Sequence, residues 1–183
     1  MTILHIDSSI TGDQSASRAI SRSIVDQLRT TDSDAEVVSR DLVAEPLPHL
    51  TLDAFADSSV LDEFLAADTI VIGAPMYNFT LPTQLKAWLD RILVAGKTFR
   101  YTESGPEGLA GGKRVVIALA RGGFYNAGSP AAALEHLESY LRGVFNFIGI
   151  APEFVAADGL AIGPEQRESS VNQALGETIL LAA

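Results

Sequence analysis

Six consecutive residues carry the sharpest chemical signal in this chain: Ala74-Pro75-Met76-Tyr77-Asn78-Phe79, with Pro82 three positions on. They follow an apolar run, Thr69-Ile70-Val71-Ile72-Gly73, and lead into a helical pattern. Segments between regular elements lie mostly on the surface, so Tyr77 and Phe79 are expected to be exposed. Two exposed aromatics around an amide make sense where a flat ring system packs against them. Asn78 can both donate and accept at the edge of such a ring. Ser8-Ser9 and Ser15-Ala16-Ser17 lie between a short strand and a helix. Hydroxyls and free first-turn N–H groups placed that way hold a phosphate. The same serines also suit plain helix capping, and the residues alone leave both readings open. Ala120-Arg121-Gly122-Gly123 ends another apolar run, where paired glycines let a backbone approach a ligand closely.

Other chemistries find little support. The absence of cysteine removes thiolate nucleophiles, disulfides and Cys-based zinc sites. His5, His49 and His136 sit in a strand, a loop and a helix with no motif around them, and read as structural or solvated. There is no Gly-x-Ser-x-Gly elbow and no His-Glu-x-x-His spacing, and no metal is expected. A formal net charge of −10 argues against a nucleic-acid partner and against an anionic membrane surface. No stretch approaches the ~20 apolar residues of a membrane span. The first residues lack the basic region of a secretory signal, so a cytoplasmic protein is expected. At 183 residues, one domain covering 1–183 is expected.

These loops need elements to hold them. Thr2 to Asp7 reads as a strand, followed by a helix with Ile20, Ile24 and Leu28 on one face. Ala35 to Ser39 reads as a second strand, and Asp41 to Thr51, with Pro46 and Pro48, as loop. A helix from about Ser59 turns Leu61, Phe64 and Leu65 inward. After the third strand, a helix from near Thr83 carries Leu85, Trp88, Leu89, Ile92 and Leu93 at helical spacing. Lys86 and Asp90 pair on its other side, and Ala95-Gly96 ends it. The glycines from Gly105 to Gly112 precede a strand rather than a helix, so they are no dinucleotide fingerprint; a flexible surface loop is expected. The fourth strand runs from Lys113 to Leu119. A helix from about Pro130 carries Leu134, Leu137 and Leu141, the fifth strand spans Glu153 to Ala156, and Gly163-Pro164 opens a last helix with Val171, Leu175 and Ile179.

Five βα repeats predict an α/β fold with a five-stranded parallel sheet and helices on both faces; the arrangement taken for it is the flavodoxin-like three-layer fold, strand order 2-1-3-4-5. Ligands of such sheets bind beyond the carboxyl ends of the strands, at the topological switch point. The three singled-out loops follow strands one, three and four, so they converge there. The flat partner is read as a flavin.

With these residues in view, the chain resembles the FMN-dependent NADH-azoreductases, also described as NADH:quinone reductases. The resemblance rests on the serine loop, on Ala74 to Phe79 with Gln84-Leu85-Lys86, on Gly96 with Thr98 to Glu103, on Gly105 to Leu109, and on Arg121-Gly122-Gly123. It implies that Ser9, Ser15, Ala16 and Ser17 hold the FMN phosphate. It implies that Met76, Tyr77, Asn78 and Phe79 run along the ring, and that Ala120, Arg121, Gly122 and Gly123 close its pyrimidine edge. FMN then carries the chemistry, with no catalytic side chain obligatory. Hydride passes from NADH through the flavin to a quinone or an aromatic azo compound, in ping-pong order. Phe79, Tyr101 and Phe124 are expected to line the substrate space. The resemblance further implies a homodimer with the flavin at the interface.

Three departures stand out. Ala120 replaces a frequent Ser, the stretch between Pro46 and Leu61 is short, and Val155-Ala156-Ala157 lacks an aromatic that some relatives carry. Lys97, Arg100 and Arg121 could each reach an adenosine phosphate, so NADH and NADPH are not separated. The alternatives weighed are a flavodoxin-type one-electron carrier, an acyl-carrier-protein phosphodiesterase-like hydrolase and a flavin-binding regulatory module.

Overall fold

The computed structural model describes residues 1–182. In chain order the elements are β1 (Thr2–Asp7), α1 (Ala16–Thr31), β2 (Glu36–Asp41), α2 (Leu52–Ala56), α3 (Ser59–Ala66), β3 (Thr69–Pro75) and α4 (Thr83–Ile92). Then come β4 (Phe99–Thr102), β5 (Gly105–Gly108), β6 (Arg114–Ala120), α5 (Glu138–Phe147), β7 (Glu153–Ala157) and α6 (Pro164–Thr178). Five strands pair in parallel in the order β2-β1-β3-β6-β7, which is the expected 2-1-3-4-5 order counted within this sheet.

Strand alternation explains the three layers. Leu4, Ile6, Ile70, Ile72, Ile117 and Leu119 point to one face, where Phe64 of α3, Leu85 and Trp88 of α4, and Leu141 and Phe145 of α5 cover them. Ile3, Val71, Val116, Ala118 and Val155 point to the other, under Ile20, Ile24 and Leu28 of α1 and Ala174 of α6. Successive side chains of a strand face opposite ways, so an apolar run in sequence becomes two cores. Every residue of β3 is buried, as befits a central strand. Trp88 is fully buried with its ring edge-on to Phe64 at 6.1 Å, and Lys86 pairs with Asp90 across the outer face of α4. Gly73 lies where β3 passes beneath α1. A Cβ there would stand 2.6 Å from Asp7 Oδ1, so no larger residue fits without displacing that carboxylate.

Several expectations are corrected. The segment from Gly105 is no flexible loop: β4 and β5 form an antiparallel ribbon. Gly108 lies against the backbone of Gly149, where a Cβ would come 2.1 Å from the Gly149 nitrogen, and Ala110 is buried and donates to Ile148 O at 2.9 Å. The helix expected from Pro130 begins only at Glu138. Glu135 accepts from the N–H groups of Leu137, Glu138 and Ser139 and so defines that start, leaving Leu134 exposed. Burial pushes the Glu135 carboxyl up, but those N–H groups hold it below its ordinary value. Helix α4 ends at Ile92, not at Ala95-Gly96, because Thr98 accepts from Val94 N and donates to Ile92 O, turning the chain early. Leu65 and Ile179 are exposed; Val60 and Ala174 take the inward positions instead. β2 runs on to Asp41, which the sequence reading placed in the following loop.

Candidate active site

A cleft of about 550 Å³ opens at the carboxyl ends of β1, β3, β6 and β7. Ser9, Thr11, Gln14, Ser15 and Ala16 line it after β1; Pro75, Met76 and Tyr77 at the tip of β3; Ala120 at the end of β6; Leu160 and Arg167 beyond β7. The convergence of loops from distant parts of the chain thus holds in the folded molecule. Among the described residues no carboxylate lines this cleft, although the chain as a whole is acidic.

The first loop is built from hydroxyls. Ser15 caps α1 by accepting from Arg18 N at 3.2 Å. The first turn of a helix leaves N–H groups without intrahelical acceptors, and those of Ala16 and Ser17 belong to this class. The Ser17 hydroxyl is fully buried and bonds Ser15 Oγ at 3.1 Å, so its side chain stands behind the loop rather than in the cleft. Ser8 donates to Gly73 O at 2.7 Å, tying β1 to β3. Arg18 sits beneath the loop: it donates to Ser9 O at 3.2 and 2.8 Å and to both oxygens of Asp41 at 2.7 and 2.8 Å. The Arg18 hydrogen bonds hold the Asp41 carboxyl down at about 2. Asp7 continues the network through Ser21 at 3.0 Å, and Ser21 meets His5 Nε2 at 3.0 Å. Burial pushes the His5 imidazole down, against the pull of Asp7.

The third loop is strained. Tyr77 and Thr80 exchange backbone hydrogen bonds at 2.9 and 3.2 Å, so Asn78 and Phe79 form a two-residue hairpin turn. Both have positive φ, 47° and 74°. Asn tolerates that region, but an aromatic residue there stores strain. The strain is held from outside: His136 N donates to Phe79 O at 3.0 Å, and Thr80 Oγ1 to His136 O at 3.2 Å. The turn leaves Asn78 and Phe79 exposed, with the Phe79 ring edge-on to Tyr125 at 6.2 Å. Tyr77 is only half-buried and not simply apolar in use. Its hydroxyl lies 3.2 Å from Ser9 Oγ and accepts from Ile10 N at 3.1 Å, locking the third loop to the first.

The loop after β6 also differs from expectation. The Arg121 side chain is buried and cannot reach a ligand phosphate: it pairs with Asp158 at 2.6 and 3.0 Å, Glu138 at 3.3 Å and Glu135 at 3.7 Å. Burial lowers the Arg121 pKa, yet the three carboxylates raise it more, so it stays charged. Its backbone, with Gly122 and Gly123, accepts from Leu160, Ala161 and Gly159 in turn. Arg100 pairs with Glu107 on the ribbon surface. Phe124 is exposed beside Gly159. Tyr101 does not enter the cleft of its own chain; it stands three-quarters exposed on β4, edge-on to Phe99.

The chain matches the family model of the flavodoxin-like fold over residues 1–179. It is 54% identical, over 201 aligned positions covering all of both chains, to FMN-dependent NADH:quinone oxidoreductase 2 of Bradyrhizobium diazoefficiens. It belongs to this family of oxidoreductases. A second relative, from Methylorubrum populi, has the name FMN-dependent NADH:quinone oxidoreductase and is 53% identical with both chains fully covered. Among solved structures, an azoreductase from Bacillus anthracis superposes with a TM-score of 0.91 at 29% identity, covering 100% of this chain and 98% of that one. The 201 aligned positions exceed the 183 residues here, so the Bradyrhizobium relative carries segments that this family member lacks.

Sequence reasoning missed Thr11, Gln14, Leu160 and Arg167 as cleft residues, and Arg18 and Asp41 as the brace beneath it. Thr11 and Gln14 lie inside the serine loop that was already singled out. Leu160 and Arg167 follow the fifth strand, whose carboxyl end faces the same rim, and that position was their one available signal.

Proposed function

We propose that this chain is an FMN-dependent NADH:quinone oxidoreductase that also reduces aromatic azo compounds, alternating donor and acceptor in one pocket. The observation that carries this is the division of the cleft. One end offers the hydroxyls of Ser9, Thr11 and Ser15 and the first-turn N–H groups of α1, with no carboxylate among the described residues. The other end offers Pro75, Met76, Ala120 and Leu160. The polar end suits a phosphate dianion and the apolar end a flat ring, so the residues present fit FMN. When bound, FMN supplies the two-electron chemistry between a nicotinamide donor and the acceptor.

The chain's own residues bind, orient and exclude water. Ser15 and the start of α1 take the phosphate, and Tyr77 keeps the ring loop at a set distance from that anchor. Asn78 offers an amide at the ring edge. Phe79 and Phe124, both exposed, furnish apolar surface for a planar acceptor. Tyr101 contributes from the neighbouring subunit of a homodimer. Support for that assembly comes from an open apolar surface of Leu93, Phe99, Tyr101, Tyr140, Val144 and Phe147, which a second copy would cover. A cytoplasmic location completes the reading; among the described residues no helix is long and apolar enough to cross a membrane.

The test is NADH oxidation by FMN-loaded protein with and without a benzoquinone, followed by the same assay with an azo dye. Acceptor-dependent turnover is expected with both. Flavin binding without turnover on any acceptor would favour the electron-carrier or regulatory alternatives.

A further inference from the structure

Arg167 lines the cleft from the start of α6, beside the serine loop. Its Nη2 donates to Gln14 O at 2.6 Å, and among the described residues no carboxylate lies within ion-pair distance of it. A guanidinium carries five N–H donors, so one bond to Gln14 leaves most of them for a ligand. The position is fixed in advance. Leu160 N and Ala161 N bond Arg121 O and Gly122 O at 3.1 and 3.0 Å, and Arg167 N bonds Gly163 O at 2.9 Å. Pro164 at the head of α6 restricts the backbone further. A cation held this way loses little side-chain freedom on meeting an anion.

We propose that Arg167 is the cationic partner of the flavin nucleotide's terminal phosphate, working with Ser15 and the start of α1. This rests on the FMN reading above and extends it to the connection after β7. It assigns this residue the discrimination of FMN from riboflavin, which has the same ring and no phosphate. In a chain of net charge −10, a local cation offsets repulsion that the helix start would otherwise meet alone.

The test compares FMN and riboflavin affinities, by quenching of flavin fluorescence, for the parent protein, Arg167→Gln, Arg167→Lys and Arg29→Gln. Arg29 is exposed near the far end of α1 and controls for the loss of one positive charge. Arg167→Gln is expected to weaken FMN about 10- to 100-fold and leave riboflavin within about twofold, since a charged hydrogen bond carries that much. Arg167→Lys should recover part of the loss, and Arg29→Gln should change neither ligand. Added salt should weaken FMN binding in the parent more than in Arg167→Gln. An unchanged FMN-to-riboflavin ratio in Arg167→Gln, or an equal loss in Arg29→Gln, overturns the assignment while the FMN reading stands. A parent protein that binds no FMN overturns the FMN reading itself.

Discussion

Arg18 grips Asp41 through two hydrogen bonds of 2.7 and 2.8 Å, and the same guanidinium donates twice to the carbonyl of Ser9. One side chain thereby joins α1, the end of β2 and the loop after β1. Replacing Arg18 with Gln is expected to lower unfolding free energy by about 2 kcal/mol, the scale of charged hydrogen bonds. It should also weaken FMN about tenfold, because the Ser9 loop loses its brace. Urea denaturation and a flavin titration on the same preparation check both effects.

Asp41 also sets a pH dependence. Its folded carboxyl sits at about 2, below the ordinary 3.8, because Arg18 bonds to it. A depressed acid contributes stability that is fully present above its unfolded value and is lost as pH falls toward the folded one. The parent protein should therefore lose stability between about pH 4 and pH 2 more steeply than Asp41→Asn. Thermal melts across that window compare the two slopes.

The turn at Asn78 and Phe79 separates strain from chemistry. Phe79→Gly removes an exposed ring from a backbone with φ of 74°, which only glycine adopts freely. Stability is expected to stay level or rise by about 1 kcal/mol, while turnover on quinones falls. Asn78→Gly keeps the turn and deletes the amide, whereas Asn78→Ala adds strain as well. Weaker flavin binding in both variants would tie the loss to the amide; loss in Asn78→Ala alone would tie it to the backbone.

Gly108 is fixed by space. A Cβ there would lie 2.1 Å from the backbone nitrogen of Gly149, which cannot swing aside as a flexible side chain does. Gly108→Ala should cost about 3 kcal/mol, the upper range for overpacking, and shift the denaturation midpoint. Gly105→Ala is a useful comparison: nothing lies within 4 Å of its Cβ, so any cost there comes from its φ of 116°.

Arg121 stands among Asp158, Glu138 and Glu135 with its side chain buried. Arg121→Leu leaves three carboxylates facing one another and is expected to destabilise by about 3–5 kcal/mol. For the residual folded enzyme, the ratio of kcat/KM for NADH and NADPH should be unchanged, because the guanidinium faces the protein. A large shift in that ratio would return Arg121 to the nucleotide site.

Legibility in the sequence tracked how local the cause was. The strands β1, β3 and β6 were readable because buried strands write themselves as apolar runs, and Ile20, Ile24 and Leu28 or Leu85, Trp88 and Leu89 repeat at helical spacing. Ser15 as a cap was readable for the same reason. The β4–β5 ribbon was hidden because its glycines signal freedom in isolation. Only contact with Gly149, brought up by α5, turns Gly108 into a packing requirement. The late start of α5 was hidden because Leu134, Leu137 and Leu141 keep a helical rhythm, while Glu135 takes the first-turn N–H groups and stops the helix there.

The amino-acid order by itself determined the parallel strands and placed three unusual loops at strand ends, since periodicity and loop position are properties of short stretches, while the strand order was taken from likeness to the flavodoxin-like fold. Tertiary structure decided which side chains stand in the cleft. It turned Arg121 inward to three carboxylates, placed Arg167 beside the serine loop, tied Tyr77 to Ser9, and held Phe79 in a left-handed turn from the far side of His136. Charges and hydrogen-bond partners separated by tens of residues meet only after the chain has closed on itself, so no local pattern encodes them.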